Sequence, residues 1–231
     1  MPEERNPFQM KTKTWIVTVG IFLAIVGIGM AVAYPYLKKE KKLKVFQPSD
    51  INPKLVDESK RSVYEDHTIA DFELVNQTGK TITQKDFEGK IYVADFFFAT
   101  CPSICPIMSG HIAELQEKFK EDPEVMFLSH SVTPQIDSVE ALAEYGERYG
   151  ANPEVWHLAT GEKQHIYELA RKSYFAVLDE GDGGKQDFIH TENFILVDPE
   201  RRIRGYYDGT SPKDMERLAD EIGILLEEVR E

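Results

Sequence analysis

The chain is poor in cysteine, with two in 231 residues, Cys101 and Cys105. Two cysteines exclude a disulfide framework and leave one bridge, one redox pair or part of one metal site. Positive charge is also short: 27 basic residues stand against 40 acidic ones, a net of -13. The deficit is uneven. Residues 1–44 carry eight basic and three acidic residues, so the rest of the chain has a net charge of -18. An acidic body repels phosphate backbones, which excludes nucleic acid as a partner. There is no internal repeat, and no proline between Pro153 and Pro199. Disorder is excluded as well, because 42% of residues are hydrophobic.

One long apolar run is present. Residues 15–34, WIVTVGIFLAIVGIGMAVAY, carry no charge. A helix of that length spans about 30 Å, the thickness of a bilayer's hydrocarbon core. Trp15 and Tyr34 stand at its ends, where amphipathic rings favour the interface. Ala31-Val32-Ala33 has the form of a signal cleavage site, but the run exceeds a usual signal core, so an uncleaved anchor is expected. Arg5, Lys11 and Lys13 precede the run, and five lysines between Lys38 and Lys44 follow it. With the terminal amine counted, the flanks differ by one charge and do not set the orientation. The expected layout is a flank at 1–14, a transmembrane anchor at 15–34, a tether at 35–66 and a folded domain at 67–231.

Patterning across the domain predicts an α/β fold. Thr68–Val75 alternates apolar and polar, the Asn76-Gln77-Thr78-Gly79 turn follows, and Thr81–Thr83 returns as a hairpin. Ile91–Phe98, IYVADFFF, is nearly all apolar and predicts a strand buried on both faces. Further strands are expected at Val125–Ser131, Val155–Ala159, Asn193–Val197 and Ile203–Tyr207. Helices are expected at Ile107–Phe119, Ser138–Tyr149, Lys163–Tyr174 and Lys213–Val229. Alternating strands and helices that end in a hairpin and a helix suggest a central mixed sheet flanked by helices.

The chemistry sits where the first buried strand ends. Thr100-Cys101-Pro102-Ser103-Ile104-Cys105-Pro106 places both cysteines on a strand-to-helix turn, where reactive groups of α/β sheets gather. Pro106 suits a first helical position, which puts Cys105 at or near the N-cap, where free N–H groups and the dipole favour thiolate. A spacing of four lets the sulfurs meet as a disulfide or around one metal ion. Among the histidines, His111 and His165 read as helix-surface residues, and His130 and His157 as strand residues in the core. His67 stands where order begins. His190 lies in a loop just before the late hairpin and is the candidate third ligand. Met108 is a weaker candidate, at a spacing that also suits the core.

Three segments carry a resemblance: DFFFATCPSICPIM (Asp95–Met108), SHSVTPQIDSVEAL (Ser129–Leu142) and IHTENFILVDPERRIRGYYDGT (Ile189–Thr210). Together they resemble the Sco/SenC family of membrane-anchored, thioredoxin-like copper chaperones. The resemblance implies a thioredoxin-like fold and a copper ion held by Cys101, Cys105 and His190. It also implies a redox-active Cys101–Cys105 pair. The implied partners are the copper-bearing subunit of cytochrome c oxidase, other copper chaperones and the membrane. The implied place is outside the cytoplasm on a single-pass anchor, with the domain on the periplasmic side or outer face of the inner membrane. Three positions depart from the common pattern: Thr100 stands in place of a histidine, and Ser103 and Thr133 each stand in place of an aspartate, although Asp137 remains. None of the three is a copper ligand in the family.

Two thiolates and an imidazole suit Cu(I) and can hold Cu(II). Zinc suits the same trio, but a catalytic zinc site needs an acid/base neighbour, and the sequence offers no specific one. The alternative function is a dedicated thiol–disulfide oxidoreductase that reduces a copper-site acceptor without delivering copper. A general reductase of the thioredoxin type is disfavoured by the C-x-x-x-C spacing and the missing proline. A peroxidase is disfavoured by Phe98, which stands where a threonine or serine usually precedes the reactive cysteine.

Overall fold

A computed structural model describes Trp15 and residues 17–30, 42–56, 67–178, 181, 183–184 and 186–230. Two compact units are present, one within Met1–Lys41 and one within Lys42–Glu231. In the first, residues 17–30 form a helix, α1, whose large apolar side chains are exposed, among them Phe22, Leu23 and Ile28. Among the described residues no helix is long and apolar enough to cross a membrane. The expected 15–34 span is described only in part: residues 16 and 31–34, the latter with the Ala31-Val32-Ala33 sequence, lie outside the described residues.

The second unit is built on a seven-stranded mixed sheet. Its strands are β1 (Glu73–Asn76), β2 (Thr81–Thr83), β3 (Ile91–Phe97), β4 (Val125–Ser131), β5 (Trp156–Thr160), β6 (Asn193–Val197) and β7 (Ile203–Asp208), in the order β2-β1-β5-β4-β3-β6-β7. β3, β4 and β5 run parallel, and the outer strands join antiparallel. All seven residues of β3 are buried, as its apolar run predicts. Their side chains alternate between two cores. Ile91, Val93 and Phe97 pack beneath α2 (Ile104–Lys118), α3 (Val139–Tyr149) and α5 (Pro212–Arg230). Tyr92, Ala94 and Phe96 face the opposite core, which holds Ile166, Tyr167, Tyr174 and Phe175. Burying a large aromatic such as Phe97 on this scale makes its truncation to alanine cost about 3–5 kcal/mol.

Local chemistry sets most boundaries. Ser138 accepts the Ala141 N–H at 3.2 Å to start α3, and Gly150 ends it in the left-handed region at φ 66°. The helix expected over Lys163–Tyr174 is instead a short α-helix, α4 (Lys163–Glu168), followed by a π-turn at Leu169–Ser173. Phe175 then takes φ 48°, a strained value for an aromatic residue.

Part of the expected tether is packed on the domain. Phe46 bridges Ile203 on the edge of β7, with its N–H on the Ile203 carbonyl at 2.8 Å. The cause is a buried ion cluster. Arg204 donates to Asp198 at 3.0 Å, to Glu228 at 2.7 Å, and to the carbonyls of Leu43 and Lys44 at 2.8 and 3.2 Å. Glu228 in turn accepts the Leu43 N–H at 2.7 Å. These bonds satisfy a guanidinium that is otherwise cut off from water, which polar spacing alone does not reveal. Residues 35–41 and 57–66 of the expected tether lie outside the described residues.

Removing one partner of a buried ion pair strands the other charge. Asp198 keeps Arg202 as a partner, so Arg204→Met strands mainly Glu228 and the Leu43 and Lys44 carbonyls and is expected to lower the unfolding free energy by about 1–3 kcal/mol in urea denaturation. A loss below about 1 kcal/mol, the value of a surface pair, would contradict this role.

Candidate functional site

β3 delivers the chain to a tight turn: the Cys101 N–H donates to the Phe98 carbonyl at 3.1 Å. The turn is held from the side by Asp137, which is buried. Its Oδ2 accepts the Ser131 hydroxyl at 2.6 Å, the Thr133 hydroxyl at 2.9 Å and the Ala99 N–H at 3.3 Å. Thr133, one of the departures from the family pattern, thus braces the loop beside the cysteines.

Helix α2 begins at Ile104, with Ser103 at its N-cap, earlier than the periodicity predicts. Cys105 therefore sits inside the first turn rather than at the cap. Pro106 still costs no hydrogen bond, because N–H groups of the first turn have no intrahelical partner. Both cysteines are free and buried, Cys101 at 7% and Cys105 at 2% exposure.

Their thiols are unequal. Burial raises the Cys101 thiol, but hydrogen bonds from the Cys105 thiol and the Ser103 and Cys105 N–H groups outweigh it, so Cys101 lies below its ordinary value. Burial first, and the bond to Cys101 second, push Cys105 up to about 12. The expectation that the helix start favours thiolate at Cys105 is corrected: the free N–H groups serve Cys101, and Cys105 is the proton donor. Nearby, Asp95 of β3 is buried, bonded to Ser129, with Oδ1 unpartnered among the described residues. Burial pushes its carboxyl up to about 7 against the Ser129 bond. A lone acid in an apolar strand was its visible signal in the sequence.

Four histidine rings have partners elsewhere. His67 meets the Ser173 carbonyl, His111 the Gly209 carbonyl, and His157 the Asn76 amide. His130 donates to the Asp95 carbonyl at 3.0 Å and stacks on Phe96, and burial pushes it down to about 4, so it is neutral. The half-buried His165 lies on α4. Met108 is buried among the apolar side chains beneath α2.

His190 is exposed, three residues ahead of β6. β6 pairs antiparallel with β3, so the start of β6 and the end of β3 share one edge of the sheet. The two segments touch through Phe98 and Phe188, whose ring centroids are 5.3 Å apart. The structure thus brings Cys101 and Cys105 together and leaves His190 on the neighbouring loop. Among the described residues no group of three or more Cys, His, Asp or Glu side chains is gathered closely enough to hold a metal ion. The donor types nonetheless fit a soft cation, with two thiols in mutual contact and an imidazole free of other bonds among the described residues.

A sequence model of SCO1/SenC matches residues 60–227. The chain belongs to the SCO1/SenC family. The SCO1 protein homolog of Bacillus subtilis is 34% identical over 145 residues, which is 62% of this chain and 75% of the relative. The solved structure of BsSco, a member of the Sco family of cytochrome c oxidase assembly proteins with a disulfide switch, aligns at 30% identity and TM-score 0.59. It covers 70% of this chain and 94% of BsSco. Arabidopsis thaliana ScoI with copper bound aligns at 28% identity and TM-score 0.54, covering 70% of this chain and 97% of that one. These neighbours and the mixed sheet support a thioredoxin-like α/β domain.

The asymmetry of the two thiols has a direct readout. A limiting amount of iodoacetamide near neutral pH is expected to label Cys101 before Cys105, because a lowered thiol holds more thiolate at a given pH. Peptide mass spectrometry checks the order, and equal labelling of the folded protein would contradict it.

Proposed function

We propose that this chain is a membrane-anchored copper metallochaperone that assists assembly of the copper centre of cytochrome c oxidase. Cys101, Cys105 and His190 bind the metal in this reading. The observation that carries it is the pair of free thiols in contact at the end of β3, in a member of a family that includes a copper-bound structure. Two sulfurs and one imidazole from separate segments make a site with few ligands and an open side, suited to cargo that must leave again.

Only thiolates ligate copper, so metal and a Cys101–Cys105 disulfide exclude one another. The same pair can reduce an acceptor. Cys101 thiolate attacks the acceptor disulfide, and Cys105 then attacks the Cys101 sulfur, releasing the acceptor as a dithiol. Two electrons move to the acceptor, together with the Cys105 proton and one proton from water. A dedicated thiol–disulfide oxidoreductase is the second reading. It is favoured by the cysteine asymmetry and by the position of His190 apart from the thiols. The copper-bearing oxidase subunit and other copper chaperones are the partners proposed for the first reading.

Titration of the reduced full chain in detergent tests both. One copper per chain is expected, lost in Cys101→Ser and Cys105→Ser, with a changed Cu(II) spectrum in His190→Ala. Mild oxidation should expel copper as free thiols disappear. Unchanged stoichiometry and spectra in all three variants would leave the reductase reading standing.

The anchor belongs to the same proposal. Residues 15–34 are read as the membrane span, because α1 exposes apolar side chains on every side and needs an apolar surrounding. The domain then lies outside the cytoplasm, with the lysines at 38–44 against anionic headgroups. A reporter fused after Glu231 is expected to behave as extracytoplasmic, and the mature chain to retain its first residues. A mature N-terminus at Tyr34 would show cleavage after Ala33 instead.

A further inference from the structure

The copper reading requires a loop to deliver His190 to the thiols, and that loop is clamped. Arg171, in the π-turn, donates through Nη1 to Asp187 Oδ2 at 2.7 Å and through Nη2 to Oδ1 at 2.8 Å. Its Nε reaches the Leu178 carbonyl at 3.4 Å. The Asp187 carboxylate also accepts the Gly183 N–H at 2.7 Å. Lys163 Nζ and the Tyr167 hydroxyl both donate to the Asp187 carbonyl, at 2.6 and 3.2 Å. Past His190, the Thr191 hydroxyl and the Asn193 amide donate to the Ala176 carbonyl at 3.0 and 2.9 Å.

The chain on both sides of His190 is therefore bonded to the segment from α4 to Leu178, and none of these bonds runs to the cysteine turn. Between the two fixed points stand Phe188, Ile189 and His190. Ile189 is buried, and its N–H donates to the Tyr167 hydroxyl at 3.4 Å. The clamp itself is shielded, with the side chains of Arg171 and Asp187 7% and 10% exposed.

We propose that Arg171 and Asp187 are positioning residues for His190, pinning the loop so that a short local swing carries the imidazole to Cys101 and Cys105. This rests on the copper reading above. The physical reason is loop closure. With the clamp, three residues must find the closed geometry; without the ion pair only the Lys163 and Tyr167 bonds to the Asp187 carbonyl hold the near side, and where these open the free segment is about twelve residues and the closure probability up to about tenfold lower. Arginine is suited to the task because its planar fork holds both carboxylate oxygens, which a lysine ammonium does not reproduce.

The test titrates the full chain in detergent with Cu(II) alone, following the absorption spectrum and the affinity against a competing chelator. Two clamp variants are used. Arg171→Met/Asp187→Leu removes the clamp without stranding a buried charge. Arg171→Lys keeps the charge and serves if the double variant fails to fold. Each is made with and without His190→Ala. The expected result is unchanged stoichiometry, Cu(II) binding weakened by up to about tenfold and a spectrum shifted toward that of His190→Ala, with the clamp variants making no further difference in the His190→Ala background. Clamp variants that bind like the unaltered chain, while His190→Ala alone changes spectrum and affinity, overturn the clamp proposal and leave the copper reading intact. Simple addition of the two effects also overturns it. If His190→Ala changes nothing, the copper reading of His190 fails first, and the clamp proposal with it.

Discussion

Burial of β3 on both faces is the constraint from which the rest of the domain follows. Seven consecutive residues, Ile91–Phe97, are removed from water between two helical layers. A strand held this way cannot slip by one residue without exchanging the two sets of side chains between cores. Its end point is thereby fixed, and with it the turn on which Cys101 and Cys105 stand. The parallel register with β4 then brings the Ser131–Asp137 loop alongside, where one buried carboxylate braces the turn. The antiparallel register with β6 brings the His190 loop to the same edge.

The cysteine turn and the His190 loop differ in how they are held. The cysteine turn is set by backbone: a strand end, a tight hydrogen-bonded turn and a helix start. That geometry explains the thiol asymmetry, since the N–H groups of Ser103 and Cys105 converge on Cys101 while Cys105 is packed beneath the helix. The His190 loop is held by side chains instead, through Arg171, Lys163 and Tyr167. Backbone-built geometry tolerates little change, whereas a side-chain clamp leaves a few residues room to swing.

Charge is arranged with similar economy. An acidic body would repel itself, and several of its carboxylates are neutralised by arginines at structural joints. Arg204 joins β7, α5 and the segment at Leu43–Lys44 through Asp198 and Glu228. Arg230 joins the end of α5 to Asp122 and Glu124 ahead of β4. Each guanidinium has more than one acceptor, and at the buried Arg204 an unsatisfied charge would cost several kcal/mol.

The sequence by itself determined the α/β class, the strands at Val125–Ser131 and Asn193–Val197, the doubly buried strand at Ile91, and the cysteine turn. These features are local: apolar runs, turn residues and a four-residue spacing act over distances the chain spans directly. The helix expected through Tyr174 runs to Ser173, but its last turn is widened into a π-turn where Tyr174 and Phe175 pack into the core. The packing of residues 42–56 on the domain and the clamp on Asp187 were illegible for the same kind of reason. Each depends on a partner far along the chain, Arg204 for Leu43 and Arg171 for Asp187, and neither charge shows its partner in sequence. The unequal thiols were decided by tertiary structure too. Spacing brings two sulfurs together, but only the three-dimensional placement of N–H groups and apolar cover decides which one holds the proton.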